Sequence, residues 1–346
     1  MGAVLRALGW MLVLGGMTIA GALLPVPEAA AQQERQQPIR FFRIGTGASG
    51  GTFFPIGGLL ASAISSPPGA RPCDKGGSCG VPGLIAVAQS TEGSVENIGL
   101  ILKGQLESGL CQADIAYAAY KGLGRFAREP GGDKLRAIAS LYREAVQIVV
   151  RADSGIQSVA DLKGKRVSLG EAGSGSLLDA DAILAAYRLR ERDLQAKFLK
   201  PGEASDALRE KRIDAFFLVA SVPVLTLTEL AEAVPIRLLP VSAAALARLG
   251  QSHSFFGHIA VPAGSYKGVP AAETVSITAE WITTAEMEDE LVYGITKALW
   301  AKSTRKLLES GHPEGAQIQL DTALEGIAIP LHPGAERFYR EAGLIK

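Results

Sequence analysis

Apolar positions along the chain fall into short runs separated by Gly-, Ser- and Thr-rich stretches. Ile39 to Gly45 reads as a strand and Thr52 to Ser65 as a helix, with TGASGG between them. Leu84 to Gln89 follows as a strand, Ser94 to Lys103 as a helix, and Ile115 to Tyr117 and Arg136 to Tyr142 as two more strands. Short strands alternating with helical segments predict an α/β fold with a mostly parallel sheet. The pattern restarts at Val146 to Val150. Val167 to Leu169 is then a strand, GEAGSGS a loop and Leu177 to Tyr187 a helix, and Ala215 to Val219 and Ile236 to Leu239 supply further strands. A polar stretch around Gln251 to Ser254 leads to HIAVPAG and a long strand over Thr274 to Thr283, where the chain is expected to return to its first half. The C-terminal part reads as helical, over Glu286 to Trp300 and Gly334 to Glu341, with Pro333 suited to a first turn.

The longest apolar run, Val4 to Leu24, carries one early cation, Arg6, and precedes Pro25, Pro27 and Ala29-Ala30-Ala31. That order predicts a cleavable signal over residues 1–31 and a soluble, exported chain starting at Gln32. The competing reading is an uncleaved anchor, because the run approaches the ~20 residues that span a bilayer. In an oxidising compartment Cys73 and Cys79, at the ends of CDKGGSC, can close a short disulfide and leave Cys111 as a buried free thiol.

Charge and composition narrow the function. The 35 Lys+Arg balance the 35 Asp+Glu, so no long-range field draws in a polyanion, which argues against a nucleic-acid groove. With only 6% aromatic residues there is no stacking surface for bases or sugars.

One device occurs twice: a strand, a Gly/Ser/Thr loop and a helix, as FFRIG-TGASGG-TFFPIGGLLASAI and as RVSLG-EAGSGS-LLDADAILAAY. Each places a helix N-terminus at the carboxyl edge of a sheet, and Ser49, Thr52, Ser174 and Ser176 add hydroxyl donors. Two such loops facing each other predict a clasp for a small organic anion. For either loop alone, a tight turn with a capped helix explains the same residues. Gly45 to Gly50 also satisfies G-x-G-x-x-G, but the acidic residue needed about 20 positions on is replaced by PPGARPCDKGG. Gly47 to Gly51 satisfies G-x-S-x-G, yet no oxyanion segment precedes it and no general base is identifiable from spacing.

Taken in order, IGTGASGGTFFPIGG (Ile44 to Gly58), QSTEGSVENIGLILKG (Gln89 to Gly104), CQADIAYAAYKG (Cys111 to Gly122), LYREAVQIVVRADSGIQSVADLKGKRVSLGEAGSGS (Leu141 to Ser176), RIDAFFLVASVP (Arg212 to Pro223) and IPLHPGAERFYREAGL (Ile329 to Leu344) resemble the TAXI family of solute receptors of TRAP transporters. The resemblance implies a two-lobe type II periplasmic-binding-protein fold with crossover strands and a ligand cleft between the lobes. Residues 38–147 and 259–346 would form lobe 1 and residues 148–258 lobe 2. It implies a monomer without cofactor or metal that binds a glutamate-like or other short dicarboxylate and delivers it to a TRAP-type membrane subunit. By motif position, the ligand contacts are Thr46, Ser49, Gly50 and Thr52, then Ser94, Asn97, Gln112, Asp114 and Tyr117, then Ser174, Gly175 and Ser176, with Ala220 and Ser221 beyond. On local grounds Asn97 suits a backbone role equally well, and Gln112 and Asp114 can serve buried backbone. The chain departs from the family at Phe53-Phe54-Pro55, where Tyr-Tyr-Pro is frequent, and at Ser221, where Gly is frequent. Arg151, near the crossover, is a candidate extra cation. Two other classes compete with the receptor: a sensing module that docks on a sensor kinase, and an exported hydrolase using Ser49.

Overall fold

The computed structural model describes residues 38–252 and 255–346. The signal over residues 1–31, the Gln32 start and His253 lie outside the described residues.

Among the described residues ten strands form one sheet. They are β1 Arg40–Gly45, β2 Leu84–Gln89, β3 Ser108–Gln112, β4 Leu135–Arg151, β5 Arg166–Ser168, β6 Gln195–Lys197, β7 Ala215–Ala220, β8 Ile236–Leu238, β9 Gly257–Val261 and β10 Ala272–Thr284. Their order is β2-β1-β3-β10-β4-β7-β5-β6, with β8 on β4 and β9 on β10. The helices are α1 Phe53–Ile64, α2 Ser94–Leu102, α3 Ala113–Tyr120, α4 Gly175–Ala186, α5 Pro201–Arg209, α6 Leu225–Ala233, α7 Ala243–Ser252, α8 Asp289–Leu299, α9 Lys302–Gly311 and α10 Pro333–Glu341.

Two long strands make this one sheet serve two lobes. The first part of β4 pairs antiparallel with β10, from Leu135↔Thr284 to Ala145↔Ser276. Its second part pairs with β7, from Ala145↔Ala220 to Val150↔Ala215. Ala145 is therefore the junction. The parallel strands β1, β2 and β3 lie to one side of it and β5, β6 and β7 to the other. Only the crossover strands and the two short strands β8 and β9 bring antiparallel pairs into the sheet.

The expected pair of strands over Arg136–Tyr142 and Val146–Val150 is a single strand of 17 residues. Arg143 and Glu144 look like an interruption in sequence, yet only Arg143 is exposed and the pairing runs through both. Ile115–Tyr117 is not a strand. The preceding residues, Ser108–Gln112, form β3, and the Ala-rich stretch after them forms α3, with Ala113, Ala116 and Ala119 buried at helical spacing.

Each sheet face carries its own core. Phe42, Ile56, Leu60, Trp281 and Tyr339 pack on one face of the first lobe, and Ile98, Cys111, Ile115, Phe126 and Ile282 on the other. In the second lobe Ile148, Val167, Ile183 and Phe217 face Phe216, Leu208 and Leu227 across the sheet. Coverage of both faces explains the near-continuous burial of β4. Val261, Tyr266, Val269 and Ala272 pack with Phe216 and Leu227, and Val275 and Ile277 with Ile148, so the chain leaves the second lobe along β10.

The repetition extends to an ion pair in each lobe. Arg43 of β1 gives its N–H and guanidinium to Glu107, just before β3, at 2.7 to 2.9 Å. Arg166 of β5 gives the same groups to Asp214, just before β7, at 2.6 to 3.1 Å. In both cases one carboxylate satisfies a backbone donor and fixes the neighbouring strand start. The Arg43 guanidinium holds Glu107, and the Arg166 guanidinium Asp214, below the usual carboxylate range. Cys73 and Cys79 form a disulfide, and Cys111 is a buried free thiol.

Candidate functional site

Along a seam between the lobes, the loop after β1 meets residues that follow β7, and the loop after β5 meets the start of α2. Thr52 Oγ1 donates to Ser221 Oγ at 2.9 Å and accepts from Ser221 N at 3.0 Å. Thr226 Oγ1 donates to the Gly50 carbonyl at 2.7 Å. Helix α2 is preceded by Gly93, which offers no capping side chain, and the Gly173 carbonyl of the opposite lobe accepts from Val95 N and Glu96 N at 3.1 and 3.0 Å. Gly173 N donates in turn to the Glu92 carboxylate at 2.7 Å. The Tyr117 and Phe255 rings meet at 4.9 Å.

Behind this seam lies a cavity of about 60 Å³, lined by Thr52, Phe53, Ser94, Gln112, Glu144, Glu171, Ser174, Gly175 and Ser176 among others. A wider vestibule of about 560 Å³ shares Ala48, Glu92, Glu171 and Pro201 with it, and carries Ser49 and Gly50. The cavity is several times the space one water needs, enough for the head group of a compact solute.

Sequence-derived contacts divide into three groups. Thr52, Ser94, Gln112, Ser174, Gly175 and Ser176 come together on the cavity wall, and Ser49 and Gly50 reach the vestibule. Thr46, Asn97, Asp114, Tyr117 and Ser221, with Ala220, do not line either space. Asn97 is fully buried and its amide is spent, donating to the Thr46 and Leu110 carbonyls at 2.7 and 2.8 Å and accepting from Thr91 at 2.8 Å. Thr46 Oγ1 donates to the Gln89 carbonyl at 2.7 Å. These two residues position the first loop. Ser221 and Tyr117 are seam residues. Arg151 pairs with Asp153 at 2.9 Å, outside both spaces.

Of the hydroxyls expected to clasp an anion, several have other work. Ser174 caps α4 by accepting from Leu177 N and donates to the Glu171 carbonyl at 2.7 Å. Ser94 donates to the Gln112 side chain and accepts from Gln112 N at 3.1 Å. Sequence reasoning missed the carboxylates Glu92, Glu144 and Glu171. Glu144 carried a legible signal as an acid inside the apolar run of β4. Glu92 and Glu171 stood within quoted motifs, in loops whose facing is set only by the fold. Burial, together with the charge of Glu314, pushes Glu144 well above the carboxylate range, and Gln112 hydrogen-bonds it. Burial beside Glu92 pushes Glu171 up to about 7. Asp179, buried on α4, is pushed up by desolvation and by Asp114 of α3, to which it hydrogen-bonds. No Arg, Lys or His is among the described residues lining the cavity.

A model of the NMT1-like family matches residues 44–343. The chain belongs to the NMT1-like family. Among solved structures, this NMT1-like chain is similar to PhnD1 from Prochlorococcus marinus (MIT 9301) in complex with methylphosphonate, with a TM-score of 0.50, 11% identity, and 88% of this chain and 99% of that one covered. It also matches the alkanesulfonate-binding protein SsuA from Xanthomonas axonopodis pv. citri bound to MOPS, with a TM-score of 0.48, 16% identity and coverage of 88% and 84%. At such identities the likeness is one of fold. The fold of the NMT1-like chain is that of the two-lobe periplasmic binding proteins. No helix of the described residues is long and apolar enough to cross a membrane.

The hydrolase alternative gains no support from Ser49. His258 pairs with Glu273 at 2.5 Å, and His312 and His332 cap turns by accepting from Glu314 N and Gly334 N, each at 3.1 Å.

Proposed function

We propose that this NMT1-like protein is an exported solute receptor that binds a small molecule reversibly between its lobes and presents it to a membrane permease. The observation that carries the reading is the cavity between the lobes, which has polar groups of both repeated loops on its wall and inter-lobe hydrogen bonds beside it. Closing such a site excludes water and strengthens every polar contact inside it. The ordered motifs from Ile44 to Leu344 favour the TAXI subgroup and hence a TRAP-type permease. Thr52, Ser94, Gln112, Ser174, Gly175 and Ser176 are the proposed contacts, with Asn97, Thr46 and Ser221 holding the loops. Residues 1–31 are the proposed export signal and a monomer the proposed working form.

Two experiments test this. A thermal-shift screen with small metabolites should find a solute that raises Tm; at 100 times its Kd a ligand adds about 2.7 kcal/mol to the native state. Vesicles carrying a TRAP-type permease should take that solute up only when the receptor is added. Uptake through an ABC-type permease instead would change the partner, and turnover of the solute would move the protein to the enzymes.

A further inference from the structure

The cavity wall is acidic where the duplicated loops lead one to expect an anion site. Glu144 is 1% exposed and Glu171 7% exposed, both line the cavity, and each keeps one buried carboxylate oxygen without a hydrogen-bond partner among the described residues. Glu92 stands beside them, and the vestibule adds Glu96, Glu203 and Glu229 against one cation, Lys200. An unpaired buried carboxylate oxygen is costly, and both acids are among the residues that line the space a solute enters. A simple organic anion would meet no cation on the cavity wall and would bring no donor to either free oxygen. An ammonium group reverses both terms, since its three N–H donors can serve the free oxygens of Glu144 and Glu171 while Gln112 holds the other side of Glu144. No group of three metal-ligating side chains converges among the described residues, so an organic cation fits better than a metal ion.

We infer that the solute carries an ammonium group and that Glu144 and Glu171 are the residues that select it. The inference rests on the solute-receptor reading. Binding also moves protons. Burial raises both acids, Glu144 being faced also by Tyr142, Asp114 and Glu314 and Glu171 by Glu92, Glu96 and Glu203 with Lys200 opposing, so both hold protons readily before the ammonium arrives. A cation beside them lowers their proton affinity, so binding near pH 7 releases protons, whereas binding of an anion takes protons up or leaves them unchanged.

The test is calorimetry on the full exported chain with matched pairs: 4-aminobutyrate against butyrate, glutamate against glutarate, and putrescine against 1,4-butanediol. The expected result is binding confined to amine-bearing members, proton release seen as a buffer-dependent enthalpy, and at least tenfold weaker binding by Glu144→Gln. The proton count on the wild-type protein stands even if that variant folds poorly. Equal binding of glutarate or butyrate without proton release would overturn the inference and leave the receptor reading intact. No binding by any member would count against both.

Discussion

Glu280 on β10 is fully buried, accepts from Ala328 N at 2.7 Å through one oxygen, and has no partner among the described residues for the other. Burial pushes it up to about 8. A carboxyl raised in the folded state stabilises below its unfolded value, near 4.5, and that contribution is lost as pH rises through about 8. Glu280→Gln keeps the acceptor and removes the charge. It should therefore raise Tm relative to wild type at pH 9 and leave it nearly unchanged at pH 4, a difference scanning calorimetry can read; an equal effect at both values would refute the account. Thr52 is the second single residue with a clear expectation. Thr52→Ala deletes both seam bonds to Ser221, each worth about 0.5 to 1.5 kcal/mol, so solute affinity should fall roughly tenfold in a calorimetric titration while Tm without solute changes little.

At the scale of elements, the seam is possible because glycine stands where the lobes approach. A Cβ on Gly173 would meet Glu92 Oε2 at 2.6 Å, and one on Gly50 would meet Thr226 Oγ1 at 2.7 Å. On Gly175 it would fall on the Gln112 side-chain oxygen, which Ser94 holds in place. Gly173→Ala should wedge the seam without disturbing either lobe: small-angle scattering in saturating solute should show a larger radius of gyration than wild type, at unchanged Tm. The strand-start pairs belong to the same scale. Glu107→Ala leaves Arg43 N–H without its carboxylate partner and should cost about 1 kcal/mol, read as a drop in Tm of a few degrees. Most of these elements were legible: β2 spans the residues the pattern gave, and the two Gly-rich loops stood out as a repeat. What the pattern hid has physical reasons. Strand β4 is covered on both faces and so loses its alternation, and the Ala-rich run of α3 is too short for its period to stand out. Helices α5, α6, α7 and α9 have no counterpart in the sequence reading, although α5, α7 and α9 are amphipathic.

The whole molecule joins these parts into two α/β lobes hung on two shared strands, β4 and β10, with the cavity beside their junction at Ala145. The sequence located the loops that frame the site, because strand, glycine turn and helix are local chemistry. It could not locate the acids on the wall. Glu144 reaches the cavity only because β4 passes between the lobes, and Glu171 only because the second loop folds over against Glu92. Chain neutrality, 35 charges of each sign, concealed a strongly acidic cleft for the same reason. The most direct measurement of the central claim is the position of the bound solute, by diffraction from crystals grown with the compound that raises Tm most. The account expects its density between Gln112, Glu144 and Ser174, with the Thr52–Ser221 bonds formed. Density at any other surface, or in the cavity with the lobes apart, would contradict it.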